Sequence, residues 1–247
     1  AALLPAGQTP GKVIPFMSIP SGGRGGIGAP GGGAASAAPM MAEGTGPSPL
    51  SPTPTSSFLA LDDDNTSIPP DTHGAVGPNH LMVTLNTQVR IQDRNGVALS
   101  TVSLDGFWAS LGRPSAFDPK VLYDPFANRW MFTAMADGFL PSSAVLIGVS
   151  QTSDPTGNWN LYRIDADPTD RLWADYPSMG FNKDWIVVSL NMFPISSGSL
   201  RSQIYVFDKA DLYARGAGRF TLLQDSSGFT QVPAITYDNT LSTIYLI

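Results

Sequence analysis

Three aspartates recur at one place in a repeating pattern, and carboxylates delivered this way can do chemistry together. Asp71, Asp118 and Asp175 each stand where a short apolar strand begins, Asp118 lying 47 residues after Asp71 and Asp175 a further 57 after Asp118. If the repeats are arranged around an axis, the three carboxylates converge and offer oxygen ligands to a hard cation, Ca²⁺ being the candidate. The alternative is that each Asp accepts backbone N–H groups in its own turn and fixes the entry of its strand. The sequence leaves both open.

Other chemistries find less support. There are only two histidines, His73 and His80, too few for a histidine zinc triad, and no cysteine for a disulfide or a thiolate site. No Gly-x-Ser-x-Gly elbow and no Gly-Lys-Ser/Thr phosphate loop occurs. Asp62-Asp-Asp-Asn65 lacks the Gly and the distal Glu of a calcium loop and reads as a solvated acidic linker. Glycoside hydrolysis needs two carboxylates about 5–10 Å apart. Asp137, Asp165, Asp167 and Asp170 are available for that, but spacing alone does not select a pair. The formal net charge of −6 argues against nucleic acid as a partner.

The elements that must position these residues are strands. Four segments share one plan: Asp71 to Val83, Asp118 to Phe132, Asp175 to Val188 and Val232 to Leu246. Each is a short apolar strand, a polar turn, then a strand rich in aromatic and β-branched residues. Repeats of roughly 40–50 residues built this way predict propeller blades. Asn95-Gly96 predicts a hairpin, Ser153 to Trp159 a second turn, and only 106–111 and 209–214 suit a helical turn or two. Trp130 and Trp185 occupy corresponding strand positions and are expected between blades. The fold class predicted is therefore all-β and β-propeller-like, with four-stranded blades of which about three and a half are present. On this reading the fourth blade breaks off at Ile247, and a longer native chain is expected.

The segment Pro69-Pro-Asp-Thr-His-Gly-Ala-Val-Gly-Pro-Asn-His80 resembles an opening motif of a loosely defined group of secreted bacterial β-propeller proteins. The resemblance continues in Asp118 to Trp130, Val149 to Trp159, Asp175 to Gly180 and Val206 to Leu212. It implies the fold and export, and no single activity. Ser153-Asp-Pro-Thr-Gly-Asn-Trp159 is also similar to the Asp-box of sialidase-like propellers, with its internal order altered. In those proteins the motif closes a hairpin away from the catalytic centre.

Residues 1–57 differ from 58–247. They hold 12 of the 25 Gly and 10 of the 22 Pro, and only Lys12, Arg24 and Glu43 are charged. Such a chain does not bury enough surface to offset its own entropy, so it reads as an extended arm and linker ahead of the β-domain. Its apolar anchors, Leu3, Leu4, Val13, Ile14, Phe16, Met17, Met40 and Met41, suit grooves on a protein partner. The leading functional expectation is a non-catalytic, extracytoplasmic accessory subunit that docks through this arm onto a larger assembly, a membrane complex being one candidate. The alternatives are a carbohydrate-binding or glycoside-hydrolysing propeller, and a surface adhesin or filament component. No apolar run is long enough to span a bilayer.

Overall fold

In the computed structural model, residues 52–247 are described. Nearly the whole of the arm, including every anchor from Leu3 to Met41, lies outside the described residues.

Twelve strands form three four-stranded antiparallel meanders. The first holds β1 (His73–Val76), β2 (His80–Thr84), β3 (Gln88–Asp93) and β4 (Ala98–Ser103). The second holds β5 (Ala116–Asp124), β6 (Arg129–Ala136), β7 (Ala144–Ser150) and β8 (Trp159–Asp165). The third holds β9 (Leu172–Phe181), β10 (Trp185–Pro194), β11 (Arg201–Asp208) and β12 (Phe220–Asp225). The sheets meet chiefly through their first strands, β1 against β5 and β5 against β9, with β2 also reaching β5 and β6 reaching β9. This is the blade arrangement of a propeller, as the repeats predict. Helical turns stand where the sequence places them: α1 (Leu104–Phe107), a 3-10 turn at Ala109–Leu111, and α2 (Lys209–Tyr213). Within the described residues no helix is long and apolar enough to cross a membrane.

The fourth repeat forms a hairpin. Val232 and Ile247 exchange backbone hydrogen bonds at 2.9 and 3.0 Å, and Ala234 N–H donates to Tyr245 O at 2.8 Å. This hairpin lies along β9, where Thr236 N–H donates to Phe181 O at 3.1 Å. Gly180 permits the approach, since a Cβ there would stand 2.6 Å from the Pro233 carbonyl oxygen.

Two apolar layers hold the sheets together. Trp108, Trp130, Phe132 and Leu146 fill one with Met82 and Ile91; Trp173, Phe181, Ile186 and Phe207 fill the other with Met131 and Ile147. Each such side chain contributes roughly 1.5–3 kcal/mol when taken fully from water. Trp130 sits there as expected. Trp185 does not; it is 37% exposed. Strand pairing explains the difference. Thr133 opposite Lys120 matches Ser189 opposite Ser178, which makes Ile186 the counterpart of Trp130. One residue of slip turns a side chain to the other face.

The turns follow their side chains. At Asn95-Gly96 only Gly96 takes positive φ (87°), while Asp93 Oδ1 accepts from Asn95 and Val97 N–H. In the Asp-box-like turn Trp159 Nε1 donates to Pro155 O (2.9 Å) and Trp130 Nε1 to Ser153 O (3.0 Å). That motif is a hairpin closure.

One buried ion pair pins the second sheet to the third. Lys209 Nζ on α2 lies 2.8 Å from Asp124 Oδ2 at the end of β5, both almost inaccessible. Tyr213 Oη donates to the same carboxylate at 2.6 Å, and Lys209 also donates to Asn182 O. Its ammonium stands over Phe126 and Phe181, 5.1 and 4.9 Å from the ring centres. Burial pushes Lys209 below the usual lysine range, and the Asp124 carboxylate opposes that shift.

Candidate functional site

The inner strands enter their sheets through the same backbone device. Asp118-Pro119 stands opposite Ala134, and Tyr176-Pro177 opposite Leu190, two residues against one in each case. These are β-bulges, and the proline costs nothing because the extra residue has no ladder bond to make. In register, Asp71, Asp118 and Tyr176 are equivalent, each two residues before the pairs His73–Thr84, Lys120–Thr133 and Ser178–Ser189. All three carry positive φ, 48°, 51° and 57°. Asp adopts this conformation more readily than most residues; a bulky Tyr does not.

Asp175 is thus one residue out of step with Asp71 and Asp118, yet it reaches the same place. Asp118 hydrogen-bonds with the carboxyl groups of both Asp71 and Asp175. Burial first, then the negative charges of Asp175 and Asp71, push Asp118 up to about 9. Its residue is 8% exposed. Asp175 is also raised, mainly by burial; hydrogen bonds from Asp118 and from Tyr176 N–H (2.7 Å) work against that shift. Burial and the neighbouring carboxyls thus both favour the protonated form of Asp118.

Asn86 holds this cluster. It is fully buried, and its Nδ2 donates to Asp71 Oδ2 (2.5 Å) and Pro69 O (2.9 Å). Its Oδ1 accepts from Asp118 N–H at 2.6 Å. Asn191 repeats the role two boundaries later, between the third sheet and the fourth repeat: Oδ1 accepts from Thr230 N–H (2.7 Å) and Nδ2 donates to Thr230 Oγ1 (2.9 Å). The signal was present in the sequence as Thr84-Leu85-Asn86 and Ser189-Leu190-Asn191, and motif reasoning centred on Asp passed over it.

The other candidates fall elsewhere. Asp137 caps Ser115 N–H (3.0 Å) and pairs with Arg163 (2.5 Å). Burial works to raise Asp167, but hydrogen bonds from Thr169, Leu172 N–H and Arg171 N–H hold it below the usual range. Asp165 and Asp170 line an open hollow of about 470 Å³ with Arg163 on the outer strand β8. Asp63 and Asp64 accept hydrogen bonds from Asn65 and Thr66, and Asp64 also from Gln88. His73 Nδ1 accepts from Val121 N–H (3.2 Å) across the first sheet boundary. Both histidines open strands, His73 in β1 and His80 in β2. Among the described residues no group of three or more His, Cys, Asp or Glu side chains is arranged to hold a metal ion.

No protein-family profile matches the chain, and no curated protein does. Among solved structures it is similar to a GH43 endo-arabinanase from Bacillus licheniformis, with 15% identity and a TM-score of 0.33 over 72% of this chain and 86% of that one. A likeness at this level leaves the functional reading to the site.

Proposed function

We propose that the chain binds carbohydrate where its inner strands begin and hydrolyses glycosidic bonds there, with Asp118 as proton donor. The observation that carries this is the meeting of three carboxyls, with Asp118 buried between Asp71 and Asp175 and its acid form favoured there. Glycoside hydrolysis requires an acid that protonates the leaving oxygen and a second carboxyl about 5–10 Å away that activates water or attacks the sugar carbon, so the partner in contact with Asp118 must swing clear of it when substrate binds. Asp71 and Asp175 are the partners available, and Asn86 is the positioning residue. Carboxylates also accept hydrogen bonds from sugar hydroxyls. The test is release of reducing ends from a panel of polysaccharides by the full chain. Activity is expected, with Asp118→Asn lowering it at least 100-fold while ligand binding persists. A full panel without turnover or binding overturns the reading.

The same carboxyls are not arranged as a metal-ligating group, so a Ca²⁺ site here requires them to rearrange. On the Ca²⁺ reading, Asp71, Asp118 and Asp175 are its ligands, and millimolar CaCl₂ raises the Tm of the wild type but not of Asp118→Asn.

The accessory-subunit reading rests on a different observation, the composition of residues 1–57. A Gly- and Pro-rich segment with spaced apolar anchors fits a protein partner in a larger, extracytoplasmic assembly, a membrane complex included. Replacing Phe16-Met17 and Met40-Met41 with Ser should release the chain from such a partner in pull-down while the β-domain stays folded. Retention of the partner by that variant rules this reading out.

A further inference from the structure

Two large aromatic side chains share the carboxylate end of the molecule in a backbone conformation that such residues avoid. Tyr176 (φ 57°) directly follows Asp175, and Phe139 (φ 63°) lies on the loop leaving β6, whose last residue pairs with the first of β5. For bulky side chains this region is strained, and such strain concentrates where function retains it. Burial does not hold the Tyr176 ring in place, and it covers Phe139 only in part. Tyr176 is 56% exposed and Phe139 37%, and within the described residues the Tyr176 hydroxyl has no hydrogen-bond partner. Phe139 lies against buried Trp173, ring centres 4.0 Å apart at 30°. Gly138 fixes that loop close to the inner strand, because a Cβ there would stand 3.1 Å from the Phe117 ring and 3.5 Å from Trp173.

We infer that Tyr176 and Phe139 are stacking positions for sugar rings beside the carboxyl cluster, and that the ligand is accordingly a chain of sugars. This rests on the carbohydrate reading above and specifies its substrate class. A sugar ring presents a C–H face that packs on an aromatic ring and an edge of hydroxyls that donate to carboxylates. An exposed aromatic next to Asp175 therefore matches both halves of one ligand. The two rings stand on different strands, Tyr176 on the inner β9 and Phe139 beyond the second strand β6. Carried by different sheets, the two rings each offer a face to a separate sugar, so a ligand that uses both is an oligosaccharide.

Titration calorimetry of the full chain with neutral oligosaccharides, monomer to hexamer in the gluco, xylo, arabino and galacto series, tests this. Affinity should rise with length in one series. Tyr176→Gly and Phe139→Gly should each weaken the hexamer about tenfold and flatten the length dependence. Tyr176→Gly should keep its Tm, since relief of strain at positive φ offsets the added chain entropy, whereas Phe139→Gly also gives up packing on Trp173 and is compared at a temperature where it is fully folded. Tyr176→Phe should bind within a few-fold of wild type. If the glycine variants bind like wild type while Asp71→Asn loses the ligand, the stacking inference fails and the carboxylate site stands. Loss of Tm together with binding in Tyr176→Gly marks that aromatic as structural and also overturns it. A wild type that binds no member of the panel removes both readings.

Discussion

A carboxyl group that keeps its proton after folding makes the native state more favourable in acid than in alkali. Asp118 loses its proton near 3.8 when unfolded and at about 9 when folded. Between those values the native state binds one more proton than the unfolded chain, so stability falls as pH rises. The contribution is complete below the unfolded value and gone above the folded one, with a slope of at most about 1.4 kcal/mol per pH unit. Urea unfolding from pH 5 to 9 should show this decline in wild type and a flatter profile in Asp118→Asn, which should also be the more stable protein above neutrality. Equal slopes contradict the assignment. That Asp118 matters was legible from the repeat. That Tyr176, and not Asp175, is its structural counterpart was not, because the one-residue offset depends on how the bulges pair.

Elements explain what residues alone do not. The bulges at Asp118-Pro119 and Tyr176-Pro177 bend β5 and β9 after their first paired residues, and the carboxyls of Asp71, Asp118 and Asp175 come together beside them. The same register decides why Trp130 is buried and Trp185 half-exposed. Alignment by eye places both alike, and only the ladder separates them. The contact between β5 and α2 is as decisive for packing. Removing Lys209 leaves Asp124 charged and buried, so Lys209→Ala should cost about 3–5 kcal/mol in chemical denaturation. Lys209→Met with Asp124→Leu and Tyr213→Phe should recover part of that loss, since an apolar cluster of similar volume needs no partner charge and leaves no orphaned hydroxyl. This pin was invisible in sequence: Asp124 and Lys209 are 85 residues apart and belong to different repeats. Gly180→Ala should destabilise by about 1–3 kcal/mol and raise amide exchange at Ala234 and Thr236, because the added carbon meets the Pro233 backbone. Unchanged exchange there would contradict the docking of the fourth repeat along β9.

At the scale of the whole molecule, periodicity carried most of the information. Four similar segments predicted sheets of one plan, and three four-stranded meanders joined through β1, β5 and β9 are what the chain forms. Apolar alternation and turn residues are local signals, so they survive in a single sequence. The meeting of Asp71, Asp118 and Asp175 is a long-range property that arises only when three sheets bring their entries together. The account therefore stands most directly on the protonation state of Asp118. Difference infrared spectroscopy of wild type against Asp118→Asn, titrated from pH 5 to 10, reads it. The expected result is a protonated-carboxyl C=O band that persists through neutrality and disappears around pH 9. A band already lost near the ordinary aspartate value of 3.8 would contradict it.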